Sequence, residues 1–189
     1  GREERTSLKL PPEIKLESIP KDRTLSEMLE AGEIDALVSA RAPSCFHRGA
    51  PGIGRMFPDY RATERAYFEK TGMFPIMHIT GIKKKIIEAH PWVPINMYYA
   101  LNQAKAIAMK KLVNPRIVPL AWYREAWEEQ EEILGPDPWE YGLTDQNRKT
   151  LANMAMYSHE QALIKNDLSV DDLFIDVSQG RKRGEEFRV

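Results

Sequence analysis

Strand-type sequence is confined to three short runs, all before residue 81, and this confinement limits the fold more than any other feature. Ile14-Lys15-Leu16-Glu17 alternates apolar and charged residues, the period of a half-buried strand. Ile34-Asp35-Ala36-Leu37-Val38-Ser39 is a short apolar run. Phe74-Pro75-Ile76-Met77-His78-Ile79-Thr80 is another, with Pro75 keeping its start at an edge or a strand beginning. A helix is expected between the first two. Thr24 is a good N-cap, Glu27 completes a capping box, Leu25, Met28 and Leu29 form the apolar stripe, and Gly32 stands at the C′ position. Strand, helix and strand within about 25 residues mark a βαβ unit and a parallel sheet. The expected class is therefore α/β. Three strands do not make a self-sufficient doubly wound sheet, so either helices cover a small sheet or further strands lie upstream.

The second half reads as helix. A loop over 42–54, rich in Pro, Gly and Ser, is followed by a helix over 61–70 that ends at Gly72. Further helices are expected over 84–89, from Pro91 to about Leu112, over 121–134 before Gly135-Pro136, and over 145–163. The long helix starting at Pro91 places Val93, Met97, Leu101, Ala104, Ala108 and Leu112 on one face. In the helix over 145–163, Leu151, Met154 and Ala155 are expected to point inward. Ser169, with Asp172 three residues on, caps a final short helix, and the charged tail over 179–189 is expected to be loose or to dock late.

Composition removes several function classes. The 189 residues suffice for one domain or two small lobes, and with 42% hydrophobic and 29% charged residues they can bury a core. Lys and Arg number 27 against 28 Asp and Glu, so no basic excess marks a nucleic-acid face. No apolar run approaches the roughly 18 residues of a membrane span. The opening Gly1-Arg2-Glu3-Glu4-Arg5 lacks the apolar core of a signal peptide. The single Cys45 excludes an internal disulfide and a Cys-pair zinc site, and fits a reducing cytoplasm. Gly49, Gly52 and Gly54 lack dinucleotide spacing, and no phosphate-binding P-loop is present. The four histidines, His47, His78, His90 and His159, show no metal spacing; His159-Glu160 opens a zincin motif, but Leu163 stands where its second His is required.

Three places along the chain carry candidate chemistry. Arg41 lies just past the carboxyl end of the run 34–39, where open α/β sheets bind ligands, and a guanidinium there is suited to bidentate carboxylate binding. An arginine at a strand end is also commonly a plain surface residue. Ser44 and Cys45 follow in the same loop, and a free cysteine without a local base is usually a small buried hydrophobe. His78 shares a strand face with Phe74 and Ile76; it is either a satisfied core residue or, if it faces a cleft, a natural proton donor. His90-Pro91-Trp92 reads as helix-start geometry, Trp122, Tyr123 and Trp127 as helix packing, and Lys83-Lys84-Lys85 as a solvated turn.

An ordered series of segments resembles the 4,5-dihydroxyphthalate decarboxylase-like family. It begins with the stretch from Arg23 through Leu37 (RTLSEMLEAGEIDAL) and Ala40-Arg41-Ala42-Pro43-Ser44-Cys45-Phe46. Phe57-Pro58-Asp59-Tyr60, Thr71-Gly72-Met73-Phe74-Pro75-Ile76-Met77-His78 and His90-Pro91-Trp92-Val93 follow. Asp137-Pro138-Trp139-Glu140-Tyr141-Gly142-Leu143 and Asn147-Arg148-Lys149-Thr150-Leu151 complete it. The resemblance implies the C-terminal part of a two-lobed fold of the type 2 periplasmic-binding kind. On that analogy residues 1–45 finish one α/β lobe, 46–72 cross back, 73–178 build on the other lobe, and 179–189 form the tail. An N-terminal part or a second chain would complete the fold, and a homo-oligomer is compatible with it.

The activity implied is conversion of 4,5-dihydroxyphthalate to protocatechuate and carbon dioxide by protonation of the ring carbon that bears the leaving carboxylate. Arg41, with Ser44, would hold a carboxylate of this small aromatic acid, and His78 would donate or relay the proton. No organic cofactor is expected. A divalent metal on the catechol oxygens is compatible with the chemistry, but the sequence offers no ligand set for it. No nucleic-acid partner and no membrane insertion are expected, and the expected location is cytoplasmic. The alternative is a non-catalytic solute-binding protein for an organic acid, periplasmic if a signal precedes the chain.

Overall fold

The computed structural model describes residues 10–177; the tail over 179–189 lies outside them. The regular elements are helical: α1 (Leu25–Glu30), α2 (Ser44–His47), α3 (Tyr60–Thr71), α4 (Lys84–Ala89), α5 (Val93–Leu112), a 3-10 turn (Pro115–Ile117), α6 (Tyr123–Leu134), α7 (Asp145–Glu160) and α8 (Val170–Leu173). The helix-rich second half follows the sequence pattern. The three expected strands do not form: among the described residues the runs 14–17, 34–39 and 74–80 carry no ladder, so no sheet of an α/β fold is present. The physical reason is that a strand is a relation between neighbours, since its N–H and C=O groups need a second backbone to bond. The side chains agree. Val38 is fully exposed, and Met77 (71%) and Ile79 (69%) stand in solvent.

The described residues group into two compact units, the first comprising 10–64 with Gln161–Leu163, the second Arg65–Glu160 with 164–177. In the first unit α1 is closed at both ends. The Thr24 hydroxyl accepts from the Glu27 N–H (3.2 Å), and the Glu27 carboxylate accepts from the Thr24 N–H and hydroxyl (2.9 Å each). At the other end the Glu33 N–H reaches the Met28 carbonyl (2.9 Å) and the Gly32 N–H the Leu29 carbonyl (3.1 Å), a Schellman arrangement that needs Gly32 at its φ of +71°. The expected loop over 42–54 contains the single turn α2, which Pro43 opens. Ser26 docks α2 on α1: its hydroxyl accepts from the Cys45 N–H (3.1 Å) and shares a hydrogen bond with the Ser44 hydroxyl (2.8 Å). Arg48 pairs with Glu30 across the same contact, and Cys45 and Ala50 are buried.

In the second unit α7 organises its surroundings. The Thr144 hydroxyl accepts from the Asn147 N–H (3.1 Å), while the Asn147 amide donates to the Glu140 (3.0 Å) and Gly142 (2.9 Å) carbonyls. Gly142 holds φ +94°, a conformation L side chains rarely adopt, and a Cβ there would sit a tight 3.2 Å from the Tyr98 ring. Arg148 pins α8 and the segment after it through Asp171 (2.9 Å) and Asp176 (3.1 Å), and these hydrogen bonds hold its pKa above the usual arginine value. Lys149 donates to the Thr71 carbonyl (2.6 Å) and Gln146 to the Gly72 carbonyl. These ties set the rotation of α7, so Leu151 and Ala155 are buried while Met154, expected inward, is 47% exposed. The helix stops at Glu160 rather than 163, where Ala162 takes φ +56°.

The long helix α5 starts at Val93, with Pro94 rather than Pro91 in its first turn. Its covered side runs through Pro94, Tyr98, Asn102, Lys105, Met109 and Leu112, about 100° from the expected stripe. The polar residues explain the rotation. Lys105 bonds Asp137 (2.5 Å) and the Trp139 carbonyl (3.1 Å) and lies over the Tyr141 ring (4.8 Å). Met97, Leu101, Ala104 and Ala108 are left facing solvent.

The two capping boxes predict an acid response. Hydrogen bonds from the Thr24 hydroxyl and N–H lower the Glu27 pKa, and those from Ser169 lower that of Asp172. A carboxylate with a depressed folded pKa stabilises the fold fully above its unfolded value and loses that contribution as pH falls through the folded value. Carbon-detected titration is expected to show both carboxyls protonating below the ordinary carboxylate range, with the N-terminal amides of α1 and α8 losing protection in the same window.

Candidate functional site

The candidate residues sit in separate units. Arg41 and Ser44 belong to the first, His78 to the second. The Arg41 side chain is exposed, and its backbone N–H donates to the Ser39 hydroxyl (3.3 Å), turning the chain out of the run that precedes it. Among the described residues its guanidinium makes no ion pair or hydrogen bond, so all its donors are open to a ligand.

Ser44 stands three residues on, at the first position of α2. Its Oγ lies 2.8 Å from the Ser26 hydroxyl and 3.4 Å from an Arg48 guanidinium nitrogen. Ser26 already accepts from the Cys45 N–H. Either hydroxyl of the pair can donate; where Ser26 donates, Ser44 accepts from both neighbours and keeps its own O–H for an external acceptor. Arg48 is neutralised by Glu30. Cys45, fully buried behind them, is a packing residue rather than an accessible nucleophile.

The same loop holds a cation that the sequence reading passed over. The Arg55 guanidinium lies 5.2 Å from the centre of the Phe46 ring and 4.6 Å from that of Tyr60, held between two aromatic faces. Stacking of this kind fixes a guanidinium plane while leaving its N–H edge free for an anion. The spacing of Phe46, Arg55 and Tyr60 follows no helical or strand period, so it could be found only once the chain turns at Gly49 and Gly52 were in place.

In the second unit, the segment bearing His78 is anchored at its start and open beyond. Met73 is buried, and Phe74 meets Trp139 edge to face at 4.9 Å. From Pro75 to Thr80 every side chain is exposed. The His78 imidazole has no hydrogen-bond partner among the described residues, so the expected core environment is not what surrounds it. His90 packs against Trp92 (5.9 Å) in the turn before α5, as helix-start geometry. Among the described residues no three His, Cys, Asp or Glu side chains come together as a metal site, and no helix is long and apolar enough to cross a membrane.

Comparison with known proteins gives these residues a context. No family model matches the chain. It is 34% identical over 175 residues, 92% of its length, to a 4,5-dihydroxyphthalate decarboxylase of Comamonas testosteroni, of which it spans 53%. It is 46% identical over 59 residues to a 4,5-dihydroxyphthalate decarboxylase of Pseudomonas putida, covering 31% of this chain and 23% of that one. The chain thus resembles the 4,5-dihydroxyphthalate decarboxylases over nearly all its length, while spanning about half or less of the relatives it matches.

Proposed function

We propose that this chain contributes to a decarboxylase of hydroxylated aromatic dicarboxylic acids, converting 4,5-dihydroxyphthalate to protocatechuate and carbon dioxide. The observation that carries the reading is the similarity to the Comamonas testosteroni decarboxylase over 92% of the chain. On the same reading the complete protein has two α/β lobes of the type 2 periplasmic-binding kind, with residues 1–45 in one and 73–178 in the other.

The reaction follows from the substrate. Each carboxylate is para to a ring hydroxyl. Loss of that hydroxyl proton pushes electron density to the carbon bearing the carboxylate. A proton adds there, the ring loses aromaticity, and the bond to the carboxylate breaks. Its electron pair returns to the ring as carbon dioxide departs, so the hydrogen replaces the carboxylate and aromaticity is restored. The protein has to supply an acid at that carbon and cations for the carboxylates. In this proposal Arg41 holds the retained carboxylate through its open guanidinium, the free Ser44 O–H adds a hydrogen bond, and His78 supplies the proton.

Arg41→Ala, in a form of the protein that turns over substrate, is expected to raise KM about 10- to 100-fold, the worth of one charge-assisted interaction. Arg41→Lys is expected to recover part of that loss, because it keeps the charge and loses the fork. Steady-state kinetics with carbon dioxide release as the readout check both. The reading itself is tested by incubating the protein with 4,5-dihydroxyphthalate and following protocatechuate. Saturable binding without product would replace the enzyme with a solute-binding role.

A further inference from the structure

We propose that Arg55 is a second carboxylate anchor, which together with Arg41 makes the segment 41–60 a site for a planar acid with carboxylates on adjacent ring carbons, a ligand class that rests on the decarboxylase reading. Charge is the first ground. Arg41, Arg48 and Arg55 stand in the stretch 36–58, which contains no Asp or Glu, although acids and bases nearly balance over the whole chain. Arg48 is neutralised by Glu30. Arg23, Arg65, Arg124 and Arg148 likewise each meet a carboxylate. Arg41 and Arg55 meet none among the described residues, and neither guanidinium makes a hydrogen bond there. Two permanently charged side chains of the first unit are thus left without a carboxylate.

Placement is the second ground. An exposed arginine ordinarily loses side-chain entropy when a ligand fixes it. The rings of Phe46 and Tyr60, centred 5.2 and 4.6 Å from the Arg55 guanidinium carbon, already hold it. A guanidinium stacked in this way keeps its in-plane N–H donors for a carboxylate. Ser44 and Phe46 are two residues apart on α2, and residues at that spacing face different ways. Arg55, seated on Phe46, is therefore no further donor to the group that Ser44 binds and suits a second anionic group. With Arg41 and Ser44 on the retained carboxylate, Arg55 takes the one that departs. A cation there favours the charged ground state and opposes loss of neutral carbon dioxide, so Arg55 serves selection and binding rather than the chemical step.

Phthalate and benzoate are the probes, since neither carries the hydroxyl that the reaction needs, and binding is read on the chain itself from the arginine Nε–Hε resonances. Phthalate is expected to shift the Arg41 and Arg55 signals saturably and to bind at least about 10-fold more tightly than benzoate. Arg55→Ala is expected to weaken phthalate about 10- to 100-fold at an unchanged urea midpoint, with Arg55→Lys recovering part of the loss. Tyr60→Leu, which keeps the charge and removes one ring, is expected to give an intermediate loss. Undiminished phthalate binding by Arg55→Ala overturns the proposal, as do an unmoved Arg55 signal, the absence of saturable binding, and tighter binding of terephthalate, whose carboxylates lie across the ring. In a form of the protein that turns over 4,5-dihydroxyphthalate, Arg55→Ala is expected to raise KM without lowering kcat; a fall in kcat at constant KM overturns the assigned role. Phthalate binding that depends on Arg55 in a protein without turnover keeps the proposal and removes the decarboxylase reading. Turnover at unchanged KM in Arg55→Ala does the reverse.

Discussion

His78→Ala is expected to lower kcat for 4,5-dihydroxyphthalate by about 10²- to 10⁴-fold, the range spanned by loss of a positioned proton donor. The measurement belongs to a form of the protein that turns over substrate, with protocatechuate followed in single-turnover mode. KM is expected to change little, because on the proposed mechanism the proton is transferred in the transition state while Arg41 carries ground-state binding. The two variants therefore separate: one loses kcat, the other raises KM. Added imidazole is expected to restore part of the His78→Ala rate by entering the vacated space, a rescue that repair of a packing defect would not produce. Full turnover by His78→Ala would remove the residue from the mechanism and leave Arg41 as an anion anchor with an acid still to be found.

Leu151→Ala is expected to destabilise the fold by about 2–5 kcal/mol, through lost transfer energy and the cavity left behind. Leu151 is 5% exposed, and with Ala155 one turn later it forms the buried stripe of α7. The contrast with Met154→Ala gives the experiment its force. Met154, 47% exposed, is expected to cost no more than about 0.5 kcal/mol when truncated. Urea unfolding checks both, a midpoint shift at constant slope marking a change of stability. Equal losses at the two positions would restore the inward triplet that helical periodicity suggests.

Local signals in the sequence were legible where one short stretch contains all the partners. Thr24, Glu27 and Gly32 close α1 within themselves, and Ser169 with Asp172 does the same for α8. Helix α4 falls on 84–89 as its pattern indicates. What failed depends on distant atoms. The runs 14–17, 34–39 and 74–80 have strand patterning, yet patterning does not provide a neighbouring backbone. The covered face of α5 is set by Lys105 meeting Asp137 and Tyr141, groups more than 30 residues away that periodicity cannot weigh. The site divides similarly. Arg41 is a candidate from its place after an apolar run. The hydroxyl partner of Ser44 is Ser26, 18 residues earlier, and Arg55 gains its rings only after two glycine turns.

The grip of α7 on the carbonyls of Thr71 and Gly72, with Phe74 lodged against Trp139, also sets a leash. From Phe74 to His78 the chain advances four residues, and a fully extended backbone covers at most about 14 Å in that span. The imidazole therefore works inside a sphere of roughly that radius plus its own side chain, centred on Phe74. Any ring it protonates has to be delivered there, and lengthening the leash by inserting residues after Pro75 would enlarge the sphere while diluting the imidazole within it.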